Sequence, residues 1–440
     1  MPTTHHAPRH AQALRAVHVL RDPKTWALPT GVVAVVALLL SLLYMGGILN
    51  PQTDLSNLPV ALVTSDEGAD VGGKQTNVGD QVVQAITADD DAAVDWRVMT
   101  ASEARAALSR DEVFGALEIP AGFTASIAAL GTATADPVRP TITVLTNQGA
   151  GSLGSSFAST AAQTAAHAAS SQVGKQLTAQ ASSGDAPTAN ATALLLADPV
   201  AVVVEPGHQL GPHSGTGLSA FYFTLLLVLA GFIGATVVST AVDGALGYAD
   251  TEYGPFHSRR AAAPISRAQT FLVKSAISVV LALVTSAIVM FATITLLGMD
   301  AGHLPLLYAF SVCASAAVAL GVHAINVVFG GLGQLVSMFV FIVLALPSSG
   351  ATVPLEALPS FYRFLATFEP MRQLSDGVRS ILYFDAQATG ALSRSWSMIA
   401  LGTALAVVGG LVAARFYDRR GLRRLGYPVV SAPEVVGAAA

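Results

Sequence analysis

Cysteine and charge are both scarce in this chain. One cysteine, Cys313, among 440 residues excludes an internal disulfide framework and any multi-cysteine metal site. It sits inside an apolar run, where it reads as packing. Charged residues make up only 12%, half of the roughly 25% of a soluble domain, so a large surface is expected to face lipid. The common enzyme constellations are missing as well: there is no G-x-S-x-G, no H-E-x-x-H and no carboxylate pair suited to acid–base work. No catalytic residue, cofactor site or metal site is therefore assigned. The run Asp89-Asp90-Asp91 lacks the glycine and glutamate spacing of a calcium loop and reads as a solvated turn. His167 has no second ligand at metal spacing and reads as a surface residue.

What the chain has instead is apolar length. Hydrophobic residues are 52% of the total and the mean hydropathy is +0.57. Six segments approach the ~20 helical residues that cross a bilayer: 26–49, 218–240, 271–297, 304–329, 332–346 and 397–414. The fifth is the shortest, and Gly330 and Gly331 before it suggest a tight re-entry. The first follows Arg9, Arg15, Arg21 and Lys24 as a signal peptide would. Its apolar core is too long for one, however, and "YMGGILNPQ" offers no small-x-small cleavage site. It reads as an uncleaved span.

Lys and Arg collect on cytoplasmic flanks. Four precede the first span, and Arg259, Arg260, Arg267 and Lys274 lie in or beside the loop after the second. Arg415, Arg419, Arg420, Arg423 and Arg424 follow the sixth. Both termini are thus expected inside a bacterial plasma membrane, with one extracytoplasmic domain at 50–216. That domain carries six Lys and Arg against 17 Asp and Glu, a net of −11. The layout predicts a polytopic α-helical membrane protein, six transmembrane helices arranged 1+5, with an inserted extracytoplasmic α/β domain. Its parts are a cytoplasmic segment 1–25, a span 26–49, the domain 50–216, a five-helix region 217–416 and a tail 417–440. The five-helix region holds a cytoplasmic loop at 241–270.

Apolar runs at 59–65, 94–99, 113–120, 140–147 and 199–206 alternate with helical stretches at 77–88, 102–110, 122–130 and 149–182. Such alternation favours an α/β domain with a largely parallel sheet. Ser102, ahead of Glu103, is a candidate N-cap. The stretch "GADVGGKQ" (68–75) follows a strand and precedes a helix, as a phosphate-binding loop does. Gln75 stands where that loop needs Ser or Thr for magnesium, so a simple turn is expected. The small-residue run 149–182 is read either as a helix packed on another subunit or as a mobile stalk.

No Asp, Glu, Lys or Arg lies in the central part of any span, which argues against a proton-driven relay. The polar exceptions are His323, Asn326 and Gln334. They are candidates for an intramembrane polar path, or for interhelical hydrogen bonds alone.

Three stretches resemble the membrane subunits of type 2 ABC exporters: "ALRAVHVLRDPKTWALPT" (13–30), "DTEYGPFHSRRAAAPISRAQTFLVKS" (250–275) and "SSGATVPLEALPSFYRFLATFEPMRQLSDGVRSILY" (348–383). The last is similar to an outer re-entrant segment of two short half-helices. In that setting Arg363, Arg372 and Arg379 are expected near lipid phosphates or the exit of a path. "NLPVALVTSDEGADVGGKQTNVGDQVVQAI" (57–86) resembles the start of the YhgE/Pip (phage infection protein) group, although Thr64 stands where that group has asparagine.

The resemblance implies an exporter subunit moving an amphipathic, lipid-linked or cell-envelope substrate, driven by a separate ATP-binding subunit. It implies a homodimer, or a heterodimer with a second permease, and contact with membrane lipids but not nucleic acid. Glu252, Arg259, Arg260 and Arg267 are the candidates for ATPase docking, although "GPFHSRR" replaces the acidic "E-x-G-T" of many permeases. The alternative is a non-transporting surface receptor or secretion-accessory protein that works through its outer domain.

Overall fold

The computed structural model describes residues 23–71, 74–88, 92–130, 139–182, 196–253, 255–258, 260–388, 390–422 and 424. Residues 1–49 and 50–440 form two units. In the first, helix α1 spans Pro23–Gly46, and its apolar part covers Thr30–Gly46. The basic stretch 1–22 lies outside the described residues.

The second unit opens with a five-stranded sheet and its helices. In chain order these are β1 (Leu58–Thr64), β2 (Ala69–Val71), β3 (Lys74–Thr76), α2 (Val78–Ala88), β4 (Val94–Val98), α3 (Ala101–Ser109), β5 (Gly115–Ile119), α4 (Phe123–Leu130), β6 (Thr141–Asn147), α5 (Ser152–Ser182) and β7 (Ala201–His208). The sheet order is β4-β1-β5-β6-β7. All five expected strands are present, but the sheet is mixed rather than largely parallel. β1 pairs in parallel with β4 and β5, and β6 with β7, while β5 and β6 are antiparallel. Its strands read as near-continuous apolar runs because helices cover them: Leu62, Leu117, Ile142 and Val144 are buried under α2, α4 and α5.

Local chemistry sets the boundaries. The N-cap of α3 is Thr100, not Ser102: the Thr100 hydroxyl accepts from the Glu103 amide, and Glu103 reaches back to the Thr100 amide. This reciprocal pair satisfies two amides the helix itself leaves open. In the glycine-rich stretch, Ala69–Val71 pairs antiparallel with Lys74–Thr76 as β2–β3, and Asp70 faces Gln75. Gly68, at φ +74° with the Thr76 carbonyl oxygen 2.7 Å from where a Cβ would stand, admits no side chain. An anion at the neighbouring helix starts would meet the chain's own carboxylate. Asp66 accepts from the amides of Gly79 (3.0 Å) and Thr124 (3.1 Å) and from the Thr124 hydroxyl (2.5 Å), capping α2 and α4 together. Helix N-termini attract anions, and here a side chain fills the place.

Helix α5 is neither a stalk nor a bare intersubunit helix. Its Ala158, Ala162, Ala166 and Ala169 are buried against its own sheet. Small residues let its backbone lie close, with Gly115 beneath Ala158.

After β7 come α6 (Ser219–Ala245), the short strands β8 (Thr251–Tyr253) and β9 (Phe256–Ser258), α7 (Arg267–Met290, continued by a π-helical turn to Leu296), α8 (Leu304–Phe329), α9 (Gly333–Met338), α10 (Ala345–Ser348), α11 (Ser360–Leu365), α12 (Pro370–Tyr383) and α13 (Ala391–Arg419). Among the described residues, four helical stretches are long and apolar enough to cross a membrane: Ser219–Ala245, Arg267–Leu296, Leu304–Val343 and Ala391–Arg419. The third folds back on itself. At Gly330 (φ 57°, ψ −122°) the chain turns, so that Gly333 rests on Asn326 and the Phe341 ring on Gly321. The expected fifth span is thus the returning arm of a hairpin.

The bundle of α6, α7, α8 and α13 has two ends. The sheet domain, α11 and α12 sit at the end holding Ser219, Leu304 and Ala391, as the bonds of Tyr383 to Ser219 and Ala220 show. The β8–β9 hairpin and the end of α13 sit at the other, where the Tyr248 hydroxyl reaches the Ala263 carbonyl and Asp418 caps α7. Below, these are the sheet end and the loop end.

Candidate functional site

At the loop end a cavity of about 530 Å³ opens among α6, α7, α8 and α9. Its centre is Asp243, the last acidic side chain on an otherwise apolar helix. The Lys274 ammonium lies 2.9 Å from it, and Arg424 adds a two-pronged contact whose longer arm is 3.0 Å. Arg424 also lies over the Tyr248 ring at 4.8 Å. A carboxylate between two cations offsets the desolvation of all three, whereas removing it would strand the cations.

His323, Asn326 and Gln334 all line this cavity. The His323 ring nitrogens meet Ser239 (3.3 Å) and Ser278 (2.8 Å). Hydroxyls donate or accept as needed, so either neutral tautomer satisfies both contacts. Gln334 donates to Thr236 at 2.8 Å. Asn326 Oδ1 is buried against Gly333 and has no hydrogen-bond partner among the described residues. These three polar groups thus line the same cavity as the ion cluster, whose Lys274 and Arg424 were read from the sequence as markers of sidedness. The available signal was one Asp at the end of α6 and one Lys at the start of α7, each a turn from a span terminus.

The docking candidates divide. Arg267 also lines the cavity, but its Nε donates to the Leu422 carbonyl at 2.6 Å and its guanidinium lies over Tyr417. It joins α7 to the end of α13. The Ser266 hydroxyl accepts from the Gln269 amide in a capping box, so "Pro-Ile-Ser-Arg" is the start signal of α7. Arg260 is exposed. Glu252 lies in β8, and Arg259 falls outside the described residues. Phe256, 77% exposed on the hairpin, escaped sequence reasoning.

At the sheet end the two expected half-helices are α11 and α12. Their arginines bind protein groups. Arg379 is buried; its guanidinium donates to the Gly149 carbonyl at 3.0 and 3.2 Å and pairs with Asp111 at 3.2 Å. Arg372 and Arg394 share Asp376, at 3.5 and 2.6 Å. Arg372, Arg379 and Arg394 line one cavity of about 270 Å³. Arg363 stands apart, donating to Ser56 at 2.7 Å. Burial pushes the Asp111 carboxyl up to about 6; Arg379 opposes the rise, while Asp376 and Glu356 add to it. Helix α12 is itself wedged into the bundle, with Gly377 against the Phe310 ring. It thereby links the sheet domain to the helices.

A family described as "Protein of unknown function (DUF3533)" matches residues 31–406. The chain belongs to the DUF3533 family. That match takes in the sheet domain, the sheet-end cavity and the first half of α13, and it ends before Asp418 and Arg424 at the loop end. The chain is also 25% identical over 218 residues to the uncharacterized protein YhgE of Bacillus subtilis (strain 168). This covers 49% of the chain and 25% of that relative, so the chain spans about a quarter of the relative's length. The YhgE likeness read from residues 57–86 is shown, and the long apolar helices make this DUF3533 chain a membrane protein.

Proposed function

We propose that this DUF3533 protein is the membrane subunit of an ABC-type exporter, moving an amphipathic, lipid-linked or cell-envelope substrate outward with a separate ATPase. In this reading six helices span the plasma membrane in a 1+5 arrangement. The sheet end faces outward and the loop end faces the cytoplasm. The single observation that carries it is α12, wedged against Phe310 and fastened to the sheet domain through Arg379. A rearrangement of the helices at the loop end therefore has a path to the outer domain. The exposed Phe256 and Arg260 at the loop end are the contacts we assign to the ATPase.

The test is purification of the tagged chain in detergent, with mass spectrometry and an ATPase assay. Arg260→Glu and Phe256→Ala serve as controls, and Arg267 is left native because it joins α7 to α13. A nucleotide-binding subunit that co-purifies and is lost in both controls supports the exporter. Envelope or secretion proteins held through the sheet domain, with no ATPase, would replace it by a receptor or accessory role.

A further inference from the structure

A further cavity, larger than the two described above, belongs to neither site. It is a groove of about 880 Å³ in the sheet domain, between α2 and α5, floored by β4. None of the described residues lining it is charged, although the domain around it carries a net −11. Acidic side chains are common on this domain and absent from the described residues of this wall.

The wall has an ordered chemistry. Along α5 the positions 153, 157, 161, 165, 169 and 173, each four apart, are Leu, Phe, Ala, Ala, Ala and Val. They form one apolar ridge, since residues four apart on a helix stack on one face. The next row, 156, 160, 164, 168, 172 and 176, is Ser, Thr, Thr, Ala, Gln and Gln, an uncharged rim. Val82 and Ile86 of α2 face the ridge, and Trp96 of β4 lies in the floor. The three central alanines leave width that larger side chains would close.

The groove also has a direction. Near its start, α5 passes Phe114 and Pro354 at Gly154, and about five turns on, Gly174 meets Ala197 near the start of β7. The near mouth includes Gln52 and Leu55, beside Ser56, whose amide donates to the Glu356 carbonyl at 2.8 Å. From Leu153 to Gln176 the wall runs about 35 Å at ~1.5 Å per residue. A track that is uncharged among the described residues and apolar along its floor therefore runs from the side of the domain held by Glu356 along α5.

We infer that this groove holds the apolar chain of a phospholipid-like amphiphile that enters from the adjoining leaflet. The inference rests on the exporter reading for the direction of traffic, and it names the part of the substrate that the sheet domain grips. A second copy of the chain is the poorer occupant. It would bring another domain of charge −11 to within about the 8 Å over which such charges repel at physiological salt. A long hydrocarbon chain matches a lining without charge and gains from leaving water in proportion to its area.

The three tryptophans are Trp26, Trp96 and Trp396. Full-length protein carrying Trp26→Phe and Trp396→Phe leaves Trp96 as the reporter. In nanodiscs of dioleoyl phosphatidylcholine it is titrated with lysophosphatidylcholine bearing a dibrominated stearoyl chain, because bromine quenches indole only at contact. We expect saturable quenching of Trp96 by at least half. Ala165→Glu should weaken the apparent affinity at least tenfold. Ala165→Phe, which keeps the wall apolar and only fills it, should do the same in protein that unfolds at the parental temperature. Unquenched Trp96, or equal quenching in the Ala165→Phe protein, would overturn the assignment. So would disulfide joining of two Thr164→Cys copies in proteoliposomes without quenching. The assay contains no ATP and no partner. Quenching in a protein that recruits no ATPase would therefore keep the groove and reject the exporter, and the converse result would do the opposite.

Discussion

The guanidinium of Arg379 on α12 lies 3.0 Å from the carbonyl oxygen of Gly149, 230 positions earlier in the chain. With Asp111 at 3.2 Å, it is the buried fastening between the sheet domain and the bundle. Arg379→Ala removes its bonds and leaves Asp111 without its cation. Breaking a buried pair on one side costs about 3–5 kcal/mol, so the melting temperature in detergent should fall markedly. Arg379→Lys should recover only part, because an ammonium cannot serve both partners with the same planar fork. Adding Asp111→Asn to Arg379→Ala should restore stability relative to the single variant.

Asp111 also gives the protein a pH dependence of definite sign. Burial raises its pKa from the ordinary 3.8 to about 6. Between those values the folded protein keeps a proton that the unfolded chain has released. The contribution of this group to stability is therefore fullest below about pH 4 and is lost as the pH rises through 6. At ~1.4 kcal/mol per pKa unit the change is about 3 kcal/mol. Chemical unfolding from pH 4 to 7 should show the wild type losing this much relative to Asp111→Asn. A constant difference between the two would reject the assignment.

Gly377 is where α12 passes the bundle. A Cβ there would come 2.4 Å from the Phe310 ring, so Gly377→Ala forces the ring or the helix to move. Overpacking of this kind costs about 1–3 kcal/mol. Phe310→Leu combined with Gly377→Ala should be more stable than Gly377→Ala alone, as measured by thermal unfolding of the purified proteins.

In the loop-end cavity, Asp243→Asn leaves Lys274 and Arg424 facing each other without their carboxylate. A loss of about 3 kcal/mol or more is expected. Asp243→Asn with Lys274→Met should regain at least half of it, read from the same unfolding curves. Failure of the second change to help would mean that the ion pair is not the source of the loss.

Asp66 serves two amides and one hydroxyl at two helix starts, and the Gly68 amide in the loop that follows it. Asp66→Ala should destabilise the sheet domain by about 2–3 kcal/mol, since each buried donor left open costs ~1–3 kcal/mol. Proteolysis within residues 65–130 should speed up accordingly. ATP, added to the wild type at millimolar concentration, should not protect it.

All five strands and the four helices between them were legible in the alternation of apolar runs and helical stretches, because the period of the pattern is local. The pairing direction of β5 and β6 was not, since strand direction is set by which helix returns the chain and from where. Thr100 was missed as a cap because the competing Ser102 stood nearer the Glu, and only backbone direction separates them. The polar trio His323, Asn326 and Gln334 stood out as polar residues in apolar helices. Its encounter with Asp243 and Arg424 depends on helix packing between positions up to 181 apart, which no local pattern carries. The wall of α5 was in the sequence throughout, as two rows four residues apart, but the excess of alanine and serine masked it.

The antiparallel step between β5 and β6 has one more consequence. Because β6 and β7 run opposite to β1, the strand that begins the domain starts beside Glu356, and the strand that closes it ends at His208, bonded to the Tyr383 carbonyl at 2.7 Å. Both chain crossings fall at the same end of the strands. A domain attached at one end behaves as a cassette: its size can change between its two stems without re-routing the helices beneath. A short flexible bridge in place of residues 58–208 would then leave the helical hairpin of α8 and α9 intact.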